Sequence, residues 1–132
     1  MLPEDLTVPE GITSTLAMFR QTKITSLPEG FTIPNSVTNC DGVFYKCSTL
    51  ISLPKGFIIP NFVTDCHNMF YQCLNLTSLP DGFTIPNSVT NCSYMFANCS
   101  NLVYDISILL SKWTAKTRNV NACFCYCRKI TG

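Results

Sequence analysis

The sequence predicts a repeat solenoid made of coils of about 26 residues, with short strands and short helical turns, and three observations predict it. The string SLPEGFTIPNSVTNCDGVFYKC at 26–47 returns, lightly edited, as SLPKGFIIPNFVTDCHNMFYQC at 52–73 and SLPDGFTIPNSVTNCSYMFANC at 78–99. Written under one another, these units share invariant columns, among them Leu27/Leu53/Leu79, Phe31/Phe57/Phe83, Phe44/Phe70/Phe96, Cys40/Cys66/Cys92 and Cys47/Cys73/Cys99. Only 13% of the chain is charged, against about a quarter in ordinary soluble domains. One such coil cannot bury its apolar residues alone, whereas a stack of three or more makes a continuous core.

The regular units are 24–49, 50–75 and 76–101, flanked by a degenerate unit or cap at 1–23 and another at 102–132, in one repeat domain. Within a unit, Leu50-Ile51-Ser52-Leu53 is the best strand, ending at Pro54, which has no N–H to continue a ladder. Pro54-Lys55-Gly56 reads as a turn, with proline at the first central position and glycine free to take positive φ. Phe57 and Ile59 follow at period two, Pro60-Asn61 turns the chain again, and 63–66 is a second extended piece. Met69 and Cys73 stand at i, i+4, the spacing of one helical turn.

At the front, Leu2-Pro3 matches Leu27-Pro28 at a shift of 25, which puts Thr15 and Thr22 in the two cysteine columns. Polar substitution of this kind suits a capping unit. At the back, Phe124, Cys127 and Ile130 fall in the Phe96, Cys99 and Leu102 columns if two residues are inserted. The insertion lies in 107–119, where Ile108, Leu109, Lys112 and Trp113 suggest an amphipathic helix closing the stack.

The nine cysteines admit three readings. Columns shared with apolar neighbours favour buried thiols. Stacked side chains run parallel, whereas a disulfide needs Cβ vectors that converge. The C-x-C-x-C at Cys123 to Cys127 lacks the paired C-x₂-C spacing of structural zinc, and the only histidine, His67, shares a variable column with Asp41 and Ser93. No metal or other cofactor is expected.

The chain is also not expected to be an enzyme. It holds no nucleophile with base and orienter, no phosphate-cradling glycine loop and no paired-carboxylate site. Glu29, Asp41, Asp65 and Asp81 lie in columns that tolerate Ser, Asn or Lys, as solvated edges do. Net charge is +1, which gives no pull toward nucleic acid. The five basic residues of 106–132, Lys112, Lys116, Arg118, Arg128 and Lys129, read as a solvated cap. No apolar run is long enough to insert in a membrane, and MLPEDLTVPEG has neither the basic nor the apolar region of a secretory signal.

The pattern C-x₂-L-x₂-L-P-x-G-F-x-I-P-x-x-V-T-x-C-x-x-M-F-x-x-C, displayed by Cys73 to Cys99, resembles the BspA-like class of leucine-rich repeats of bacterial and some protozoan surface proteins. The resemblance covers roughly 2–105, with a weaker echo at 124–130; Val43-Phe44 departs from the usual Met-Phe or Ala-Phe. It implies a right-handed leucine-rich-repeat-like coil and a non-catalytic, adhesin-like module that binds another protein, a host protein among them, at the cell surface or outside the cell. A spacer within a longer array and, more distantly, a carbohydrate-binding module are the alternatives.

Columns that vary while the core stays fixed are where a partner would be read. The middle unit places Ile58, Phe62 and Leu74 where its neighbours have Thr, Ser and Ser, and adds His67. Facing water, these make an apolar patch flanked by Tyr45, Tyr71 and Tyr94, suited to a protein partner or to self-association.

Overall fold

The computed structural model describes residue 3, residues 5–105, and residues 107, 123, 124, 127 and 129–131. All but residue 107 of the helix expected over 107–119, and the terminal basic residues other than Lys129, lie outside them. No described helix is long and apolar enough to cross a membrane.

Residues 26 apart, or 25 apart between the first coil and the second, lie over one another. Isolated parallel bridges join Ser14 to Asn39, Asn39 to Asp65 and Asp65 to Asn91. At this arm Thr64 N–H donates to the Thr38 carbonyl at 2.8 Å, and Thr90 N–H to that of Thr64 at 2.8 Å. The only two-residue strands described are β1 (Tyr104–Asp105) and β2 (Ile130–Thr131), paired in parallel with Tyr104 opposite Ile130. Ile130 thus stands beside Tyr104 rather than over Leu102: the two residues gained before Phe124 are lost again after Cys127.

The arm expected to be the best strand is not a regular one. It carries one inter-coil bond per level, Ile51 N–H to Thr25 at 3.0 Å and Thr77 N–H to Ile51 at 3.2 Å, before proline ends the run. The proline turns also differ from expectation. Phe57 N–H donates to the Pro54 carbonyl at 3.0 Å, so Pro54 is the first turn residue and Lys55 and Gly56 are the central pair. With φ of 80° at Gly56, this is a type II geometry.

Residues 66–73 are not a helical turn. Asn68 and Gln72 have φ of 58° and 56°, which an α-helix excludes. Alternate N–H groups bond in different directions: those of Met69, Tyr71 and Cys73 close i→i−3 turns onto Cys66, Asn68 and Phe70, while those of Asn68, Phe70 and Gln72 donate to Ser93, Met95 and Ala97 in the following coil. The left-handed residues follow from this division, because a helix would consume every N–H inside its own coil. Gly42 and Tyr94 share the Asn68 column and its positive φ.

The core is a set of side-chain ladders. Phe19, Phe44, Phe70, Phe96 and Phe124 stack in order with centroids 5.6, 5.2, 5.0 and 5.2 Å apart and nearly parallel rings. Phe31, Phe57 and Phe83 meet this ladder edge-on. Offset and edge-to-face contacts each add about 0.5–1.5 kcal/mol to the burial itself.

Beside the rings run the cysteines, seven of them buried thiols among the described residues and Cys127 half-buried. Cys47, Cys73, Cys99 and Cys127 each donate S–H to the phenylalanine carbonyl of the preceding coil, Phe19, Phe44, Phe70 and Phe96, at 2.9, 3.2, 3.1 and 2.9 Å. In the first coil Thr22 takes that column and turns its hydroxyl to Phe19 at 2.8 Å. Burial pushes the Cys40 thiol up to about 11 and raises Cys73 and Cys99 as well, so these sulfurs stay protonated at neutral pH.

Candidate interaction face

The outward positions alternate with this core. Ile58 lies between buried Phe57 and Ile59, Phe62 precedes buried Val63, and Leu74 follows buried Cys73. All three are exposed, Phe62 by 66%.

Phe62 occupies the column in which the flanking coils use serine for an inter-coil bond. Ser36 donates its hydroxyl to the Ile12 carbonyl at 2.7 Å, and Ser88 to that of Val63 at 2.7 Å. Phe62 has no hydroxyl to donate, and its ring meets no other aromatic ring among the described residues. The middle coil therefore forgoes a hydrogen bond worth about 0.5–1.5 kcal/mol and exposes an aromatic ring instead.

The turn arm forms a second outward surface. Tyr45 and Tyr71 stack at 5.1 Å, and the Arg20 guanidinium lies over the Tyr45 ring at 4.7 Å. Half-buried His67 approaches exposed Tyr94 edge-on, with centroids 6.3 Å apart. A His67 Nδ1 contact of 3.0 Å to the Ser93 carbonyl requires the proton on Nδ1, because a carbonyl only accepts; Nε2 then accepts from the Asn68 amide at 3.0 Å. Both ring nitrogens are thus engaged within the molecule.

No known relative guides the reading of this face. Neither a protein-family model, nor a curated protein, nor a solved structure matches the chain.

Between the first three coils, Leu16, Arg20, Asp41, Tyr45, His67 and Asn68 line a concavity of about 280 Å³. Burial and the neighbouring Asp65 raise the Asp41 carboxyl above its ordinary range. Sequence reasoning missed Arg20 and Asp41 here, although Arg20 and Tyr45 share a column at the 25-residue shift. The structure brings together Tyr45 with Tyr71 and His67 with Tyr94, while Phe62 and Leu74 lie at opposite ends of the segment that carries the turn arm.

No cluster of three metal-ligating side chains occurs among the described residues. Cys123 and Cys127 stand within the stack and Cys125 lies outside the described residues. Asp65 and its column mates act locally, since the side-chain oxygens of Asn39, Asp65 and Asn91 accept the N–H groups of Asp41, His67 and Ser93 at 2.8, 2.8 and 3.1 Å. These are Asx turns that start the turn arm, and any side-chain acceptor of that length serves there.

Proposed function

We propose that the chain is a leucine-rich-repeat-like solenoid of the BspA-like kind, acting as a non-catalytic protein-binding module of a cell-surface, adhesin-like protein. Exposed Phe62 supports this reading most strongly. Its column has a serine solution that adds a bond between coils, and the middle coil gives that bond up for an aromatic ring in water. Exposed aromatics are the side chains that most often anchor protein interfaces. Ile58, Leu74 and the tyrosines Tyr45, Tyr71 and Tyr94 supply the rest of the contact surface.

The test replaces Phe62 and Leu74 together with serine, the residue their neighbours carry. The labelled wild-type chain is expected to bind intact cell surfaces saturably. The double variant should unfold in a single transition, no less stable than wild type, and bind at least about tenfold more weakly, the loss expected when a hot-spot anchor is removed. Equal binding by the two proteins contradicts the proposal.

A further inference from the structure

The concavity of about 280 Å³ over the turn arm is a groove built from outward columns. Leu16, Asp41 and His67 come from one column, Arg20 and Tyr45 from another four residues on. The column next to the first wall is small at Ala17 and Gly42 and larger at Asn68 and Tyr94. Gly42 holds φ of 64°, and a Cβ there would meet nothing nearer than the Tyr45 Cβ, at 3.7 Å. Room over the second coil is thus left by the missing side chain. No residue of the Cys40, Val43 or Phe44 core columns lines the groove, so it opens sideways and not at the end of the stack.

Two opposite charges in this groove are left without partners. Among the described residues, no side-chain hydrogen bond or ion pair engages the Arg20 guanidinium or the Asp41 carboxylate, and Arg20 meets only the Tyr45 ring. The two come from adjacent coils and do not pair with each other. His67 and Asn68, by contrast, are already bonded to each other and His67 to the Ser93 carbonyl. Leu16 adds an apolar side chain, 57% exposed, beside the two charges.

We propose that the groove binds a free α-amino acid with an apolar side chain, its carboxylate on Arg20, its ammonium group on Asp41 and its side chain against Leu16. A guanidinium takes a carboxylate through two parallel N–H bonds, and charge-assisted bonds of this kind are the strong ones. Only a ligand with both charges answers both unpaired groups. A neutral sugar would leave them uncompensated, and its ring would find no aromatic face to lie against, since Tyr45 has Arg20 from the coil before on one side and Tyr71 from the coil after on the other. Size agrees with this choice. Sites for drug-sized ligands run from about 300 to 1,000 Å³, so this one suits a smaller molecule. Burial and Asp65 raise the Asp41 carboxyl, and an ammonium group beside it would offset both.

Isothermal titration calorimetry of the full chain with L-leucine tests this. Saturable binding is expected. Leucinamide, which lacks the carboxylate, and isocaproate, which lacks the ammonium group, should each bind at least about tenfold more weakly, the loss expected for a charge-assisted bond. Arg20→Ala and Asp41→Ser introduce the residue types that Ala97 and Ser93 place in the same columns. Both should keep the fold and weaken leucine binding by a similar factor. Gly42→Asn, with the residue type of Asn68 in that column, fills the groove and should abolish binding. Phe62→Ser with Leu74→Ser should bind leucine as wild type does, which separates this groove from the face proposed above. Absence of saturable binding by L-leucine, L-valine and L-methionine alike, undiminished binding by folded Arg20→Ala or Asp41→Ser, or tighter binding of glucose than of leucine overturns the inference.

Discussion

The middle coil, 50–75, and its two neighbours share a core and differ outside it. Phe44, Phe70 and Phe96 are all fully buried, as are Cys47, Cys73 and Cys99. Outside, Thr32 and Thr84 face Ile58 in their column, Ser36 and Ser88 face Phe62, and Ser48 and Ser100 face Leu74. Stacking therefore constrains the inward columns, as where the Phe70 ring lies between those of Phe44 and Phe96, and leaves the outward ones to other demands. An outward apolar residue that costs an inter-coil bond is the clearest mark of such a demand.

Exchanging large for small at each kind of position puts this contrast under the greatest strain. Phe70→Ala, in the middle of the ring ladder, is expected to cost about 3–5 kcal/mol of unfolding free energy. Phe62→Ala, in the same coil, should change it by less than about 0.5 kcal/mol, as exposed sites do. Denaturant titration of both variants checks this, and comparable losses would mean that Phe62 belongs to the core.

A smaller effect is expected from Phe62→Ser, which restores the hydroxyl that Ser36 and Ser88 use. It should raise stability by about 1 kcal/mol through a bond to the Val37 carbonyl, and the same titration reads it. A loss of stability would show that the Phe62 ring supports the coil and that the serine column is not interchangeable.

Much of this was legible in the sequence because the repeat prints each column three times. The Phe44 and Cys47 columns declare themselves by identity, and Ile58 and Phe62 are placed outward by their alternation with Phe57, Ile59 and Val63. The conformation of the turn arm was not legible in the same way. Met69 and Cys73 are both buried at i, i+4, as a helix would have them, but the N–H of Phe70 belongs to Met95 in the next coil. That assignment is made by stacking, not by local sequence. A cue did exist: Gly42 and Asn68 share a column, and both residue types favour positive φ. Tyr94 and Gln72 show that the stack imposes the same φ on residues without that preference. The site at Arg20, Asp41 and His67 was hidden for a related reason, since its members come from three different coils.

Stacked coils with protonated, buried sulfurs are tested most simply by a count of reactive thiols, using alkylation and intact mass. The seven buried cysteines are predicted to stay unlabelled in the native protein, and denaturant alone, without reductant, should open all nine of the chain to the reagent. Labelling of Cys73 or Cys99 in the native state, or a need for reductant before they react, would contradict the thiol ladder and the stacking of coils that it accompanies.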